Sequence, residues 1–128
     1  MATIEATLIG DWAEAYPQRG SLALVLPLAL DGAGEVKAMR LRVEGIPTPL
    51  RWVGLWDGKE IISLNFLPPI ETPASIYCVF VGPGQHQPDY RVTLEGKTGW
   101  TWQTWGEFEL RPGVARYIVQ PQAKSKAR

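Results

Sequence analysis

Residues 49–67 constrain this chain more than any other stretch. Pro49 to Trp56 and Lys59 to Leu67 are two runs rich in β-forming residues, separated by Asp57-Gly58. Such a dipeptide suits two adjacent residues with positive φ, the requirement of a tight two-residue turn, so the stretch predicts a β-hairpin. Side chains alternate along a strand, which places Leu50, Trp52 and Trp56 on one face of the first arm and Val53 and Leu55 on the other. In the second arm Ile62, Leu64 and Phe66 oppose Ile61, Ser63 and Asn65. A hairpin wetted on one side would alternate more cleanly between apolar and polar. This one is expected to be covered on both faces over part of its length, by a second sheet or another subunit.

The rest of the chain is punctuated in the same way. Thr3–Ile9 alternates as a half-buried strand, and Asp11 with Glu14 three residues on has the spacing of a capping box, predicting a helical turn or a structured loop before Pro17 and Gly20. Ser21–Leu30 is apolar throughout, a strand buried on both faces, with a bulge or sheet switch expected at Pro27 because proline cannot donate to a ladder. Asp31–Gly34 reads as a turn. Glu35–Glu44 reads as a strand with Met39, Leu41 and Val43 inward and Arg40, Arg42 and Glu44 outward. Gly45–Pro49 and Pro68–Pro73 are stiff connections to and from the hairpin. Further strands are expected at Ala74–Val81, Tyr90–Glu95, around Phe108 and Leu110, and at Val114–Gln120, with an exposed loop at Gly82–Asp89. Short strands at this spacing predict an all-β fold: one β-sandwich or barrel of about 8–9 mostly antiparallel strands, built on the hairpin at 49–67.

A length of 128 residues fits one domain, expected over 1–121, with 122–128 as a short, basic, flexible tail. Lys124, Lys126 and Arg128 carry three positive charges of a chain whose formal total is zero, so residues 1–121 carry about −3. A slightly acidic body argues against nucleic-acid binding, which calls for a basic patch or stripe. Leu22–Leu30, the longest apolar run, falls far short of the roughly 20 residues needed to span a bilayer. The first residues do not show a basic stretch followed by an apolar one, so no secretory signal is expected. The expectation is a soluble protein, cytoplasmic or incorporated into an assembly such as a virion.

The residues that carry catalysis are sparse. Cys78 is the single cysteine and lies in an apolar run, where an inert buried thiol is expected; it offers neither a disulfide nor a multi-cysteine zinc site. His86 is the single histidine, and a nucleophilic mechanism would need the fold to bring a serine or Cys78 to it. Glu107 and Glu109 share a strand face about 7 Å apart, a spacing that could serve acid–base work on a glycoside but is equally that of a solvated strand face. Asp31, Asp57 and Asp89 lie at turns without a calcium-loop pattern, and no phosphate-binding glycine motif is present. No enzyme activity, metal or cofactor is expected.

Six tryptophans are the departure from the ordinary, and Trp100, Trp102 and Trp105 crowd together. On a strand Trp100 and Trp102 would share a face and Trp105 would take the other. A tryptophan joins a large apolar area to an N–H that seeks a partner, which suits interfaces and ligand platforms. Two readings follow. In the first, the chain is a structural subunit that binds itself or a larger protein scaffold, possible examples being capsid-decorating or tail components of a virion. In the second, it is a carbohydrate- or small-ligand-binding module in which Trp100, Trp102 and Trp105 form a stacking platform beside Gln103, Glu107 and the His86 loop.

Overall fold

A computed structural model describes residues 4–17, 19–59, 61–63 and 70–112, with the side chains of 61–63 left aside. These form nine strands: β1 (Ile4–Leu8), β2 (Ala13–Ala15), β3 (Ser21–Val36), β4 (Ala38–Val43), β5 (Leu50–Trp56), β6 (Ile61–Ser63), β7 (Ile70–Pro83), β8 (Tyr90–Lys97) and β9 (Gln103–Leu110). They build one antiparallel sheet in the order β1-β3-β7-β5-β4-β8-β9, with β2 on β3 and β6 on β5. The outer strands β9 and β1 come together, and Gly106 approaches so closely that a Cβ there would fall 2.8 Å from the Ala6 carbonyl oxygen. The predicted choice between sandwich and barrel therefore resolves to a nearly closed, barrel-like sheet. The strand expected at 114–120 and the tail at 122–128 lie outside the described residues, as do Leu64, Asn65 and Phe66 of the hairpin's second arm.

The interior follows from alternation. Leu22, Leu24, Leu26, Leu28 and Leu30 of β3 face the main core together with Met39, Leu41, Val43, Leu50, Trp52, Phe80, Tyr90, Val92 and Leu94. The other face of β3 is also buried: Ala23 and Val25 join Ala13, Ala15 and Val79 in a second, smaller cluster. Both expectations, a doubly buried β3 and inward Met39, Leu41 and Val43, hold.

The hairpin forms, but not with the predicted turn. Trp56 pairs with Ile61, so the connection is longer than two residues, and of the described turn residues only Gly58 has a positive φ, 98°. Asp57 instead accepts a 2.9 Å bond from the Lys59 amide, the local side-chain turn that aspartate favours. Its faces are also rearranged. Trp52 pairs with Phe80 while Gly54 pairs with Val79, which makes Val53 the extra residue of a β-bulge. A bulge reverses the alternation beyond it, so Leu55 packs on the main core and Trp56 joins Val53 against the second cluster, opposite to the predicted sides.

Four further expectations are corrected. The segment with Asp11 and Glu14 forms no helical turn: Ala13–Ala15 is a strand because it extends along the free edge of β3 opposite Ala23–Val25. Pro27 does not break β3, whose pairing with β7 continues through Pro27↔Tyr77. The proline carbonyl accepts the Ile9 amide at 2.9 Å, so its missing N–H falls between β2 and β1, where no ladder bond is lost. The irregularity lies instead at 31–34, where the expected turn proves to be a register shift within a single 16-residue strand. Ile70–Pro73, expected as connection, is already part of β7 and pairs with the end of β3.

Candidate interaction surface

Three neighbouring tryptophans occupy three environments. β8 ends at Lys97 and β9 begins at Gln103, so Trp100 and Trp102 lie in the loop between them and the strand face predicted for the pair does not form. Trp100 is 95% exposed. Trp102 is half-buried beneath two cations, with the Arg40 guanidinium carbon 4.1 Å and the Lys97 ammonium 4.7 Å from its ring centroid. Such contacts fix the ring through its negative face. Trp105 is buried, because the β8–β9 register steps from Leu94↔Gly106 to Glu95↔Thr104 and leaves it as the extra residue of a bulge. The bulge turns the ring against Gly96, where a Cβ would fall 2.3 Å from it, and the indole N–H has no hydrogen-bond partner among the described residues. Of the predicted platform, Trp100 and Trp102 remain at the surface, Gln103 is half-buried at the start of β9, and Trp105 belongs to the core.

Beside Trp102 lies a cleft of about 430 Å³ in which Lys37, Arg40 and Arg51 stand around an apolar floor that includes Met39 and Trp52 of the core as well as Trp102. Cross-strand register brings Arg40 opposite Arg51 on one side and Glu95 on the other. Glu95 accepts from Arg40 at 2.5 Å and from Arg42 at 3.0 Å, holding both guanidinium groups in place. Lys37 meets the end of β8 through its amide, which donates to the Lys97 carbonyl at 2.8 Å. Alternation explains the arrangement: Met39 and Leu41 point inward, so Arg40 and Arg42 must point out.

His86 does not join the tryptophans. It lies in the β7–β8 loop with Nδ1 2.9 Å from Glu14 Oε2, an oxygen that also accepts from the Tyr16 hydroxyl and, at 2.7 Å, from the Tyr90 hydroxyl. The Tyr90 oxygen accepts in turn from the Gln87 amide at 3.0 Å. Glu14 is only 3% exposed, and burial followed by its bond to Glu14 raises the Tyr90 pKa, so that this hydroxyl stays a donor. The cluster ties β2 and the β7–β8 loop to the start of β8. Sequence reasoning missed it by assigning Glu14 to a helix cap. The available signal was Ala-Glu-Ala: as a strand, it turns the carboxylate away from both alanines and toward the interior.

Cys78 is fully buried, and burial pushes its thiol up to about 12, so it is a protonated core residue. Glu107 and Glu109 project outward into a cleft of about 600 Å³, where Glu109 is engaged by Arg91 at 3.3 Å and by Arg111 at 2.8 Å. Among the described residues no three His, Cys, Asp or Glu side chains gather as a metal site, and no helix is long and apolar enough to cross a membrane. Comparison with protein-family models, curated proteins and solved structures finds no match.

Proposed function

We propose that this protein is a non-enzymatic assembly subunit that joins a protein surface through the β8–β9 loop. The observation that carries the reading is Trp100, 95% exposed at a loop whose next tryptophan is clamped by Arg40 and Lys97. Burying such a ring removes roughly 150–250 Å² from water, about 4–6 kcal/mol by area before the entropy cost of association. A fixed base beneath a free indole lowers that cost, because little of the loop has to be ordered on binding. The partner is a protein surface, either another copy or a larger scaffold such as a virion shell.

The absence of an activity is part of the proposal. His86 is engaged with Glu14, Cys78 is a buried thiol, and Glu109 is flanked by two arginines, each of which supports a structural role for that residue. The glycan-binding alternative is supported only by the same exposed ring, since Trp105 is in the core and Trp102 already meets two cations.

Light scattering after size exclusion, over a wide concentration range, on the full chain and on Trp100→Ser separates the two. Concentration-dependent mass that Trp100→Ser abolishes, at an unchanged denaturation midpoint, is the expected result. A monomer whose tryptophan fluorescence shifts saturably with one glycan from a panel, and not in Trp100→Ser, would replace the assembly reading with the alternative.

A further inference from the structure

The charges on part of the sheet's outer surface are sorted: β1, β3 and β7 carry acids and no base, and β4 and β5 carry bases and no acid, whereas β8 and β9 pair the two signs, with Arg91 opposite Glu109. Four cross-strand or end-to-end pairs bring like charges together. Arg40 lies opposite Arg51, and Lys37 is hydrogen-bonded through its backbone to Lys97. On the β1–β3–β7 side, Glu5 lies opposite Asp31 and Glu35 lies opposite Glu71. All four acids are exposed, and none makes an ion pair among the described residues. Among the described residues, Arg40 alone of the basic group has a carboxylate, Glu95, which it shares with Arg42.

Like charges directly opposite one another in a sheet are unfavourable. A neutral chain has enough charges of both signs to interleave them, and this one has formal net charge zero, yet it gathers acids on one set of strands and bases on another. The two surfaces adjoin where β3 gives way to β4: Glu35 and Lys37 are two residues apart, about 7 Å along an extended chain. A surface with adjoining acidic and basic halves is its own complement under two-fold rotation, which sets each half against the opposite half of the other copy.

We propose that the partner of the Trp100 surface is a second copy of this chain. The basic cleft of Lys37, Arg40 and Arg51 in each copy receives the Glu35–Glu71 pair of the other. This rests on the assembly reading and gives that reading its partner. Each copy relieves the other's like-charge pairs, and the cleft beside Trp102 supplies the concave half of the contact. Because these groups lie at the surface, the attraction weakens as the screening length falls from roughly 30 Å at 0.01 M salt to roughly 3 Å at 1 M.

The experiment is a charge exchange read by light scattering on the full chain. One variant carries Glu35→Lys and Glu71→Lys, the other Lys37→Glu and Arg51→Glu; all four positions are exposed, and the denaturation midpoint of each variant confirms its fold. At low salt the parent is expected to double its mass and at about 1 M salt to lose that species. Each variant alone is expected to stay monomeric, since its facing surfaces then repel, and an equimolar mixture is expected to recover the doubled mass. A parent that remains monomeric at every salt concentration would overturn the self-pairing, as would variants that still self-associate or a mixture that does not recover. If the parent assembles and Trp100→Ser abolishes it while both charge variants still assemble, this inference fails and the role of Trp100 stands. If neither charge nor Trp100 alters the mass of an assembling parent, both fail.

Discussion

Trp100 and Trp105 lie five residues apart, and one is 95% exposed while the other is 4% exposed. Their side chains have the same chemistry and much the same sequence neighbourhood. What separates them is the backbone: Trp100 belongs to the loop after β8, whereas Trp105 is the residue a bulge adds to β9 and rotates into the barrel. An indole placed in the core contributes to stability in proportion to the area it buries, and one left in water contributes only when something covers it. A cluster of aromatic residues can therefore contain both a core residue and an interface residue, and must be taken apart position by position.

That contrast can be broken from the core side first. Trp105→Ala and Trp52→Ala are each expected to destabilise the fold by about 3–5 kcal/mol, as large-to-small changes at buried aromatic sites do. Urea titration followed by far-UV circular dichroism would show it, and an unchanged midpoint for Trp105→Ala would return that ring to the surface. A finer form compares phenylalanine at the two sites. Trp52 donates its N–H to the Gly54 carbonyl at 3.0 Å, whereas the Trp105 N–H has no acceptor among the described residues, so Trp105→Phe should cost about 1 kcal/mol less than Trp52→Phe.

Gly96→Ala tests the contact that seats Trp105. The added Cβ would meet the ring well inside van der Waals distance, so a loss of about 1–3 kcal/mol is expected, with a change in near-ultraviolet ellipticity as the indole shifts. Tyr90→Phe removes the donor to Glu14 and the acceptor for the Gln87 amide, for about 1–2 kcal/mol in the same titration. At the far end of the comparison, Trp100→Ser should alter the stability of the isolated chain by no more than about 0.5 kcal/mol. A larger loss would mean that Trp100 supports its own fold, and would remove it as a contact residue.

Much of the architecture was legible from alternation alone. Met39, Leu41 and Val43, then Tyr90, Val92 and Leu94, lie inward as their period of two requires, and the apolar run of β3 is buried on both faces. The errors cluster where that period is interrupted. Val53 and Trp105 are each an extra residue in a strand, and nothing in their side chains announces it, because a bulge is set by the register of the neighbouring strand. Pro27 was misread for a related reason: whether a missing N–H matters depends on which edge it faces, and here it faces the gap between β1 and β2. Glu14 was misread because its partners, His86 and Tyr90, are more than 70 residues away.

The sequence by itself determined that this chain is all-β, that its hairpin surrounds Asp57-Gly58, and which stretches fill the core. Period and turn chemistry are local properties, and local sequence records them. The tertiary structure alone decided that the sheet curls toward a barrel, that Trp105 is inside and Trp100 outside, and that Arg40 stands opposite Arg51 while Glu35 stands opposite Glu71. Those are matters of strand register between distant segments. A shift of one residue carries every side chain of a strand to the other face, and the turn residues of a single sequence do not specify that register across the whole sheet.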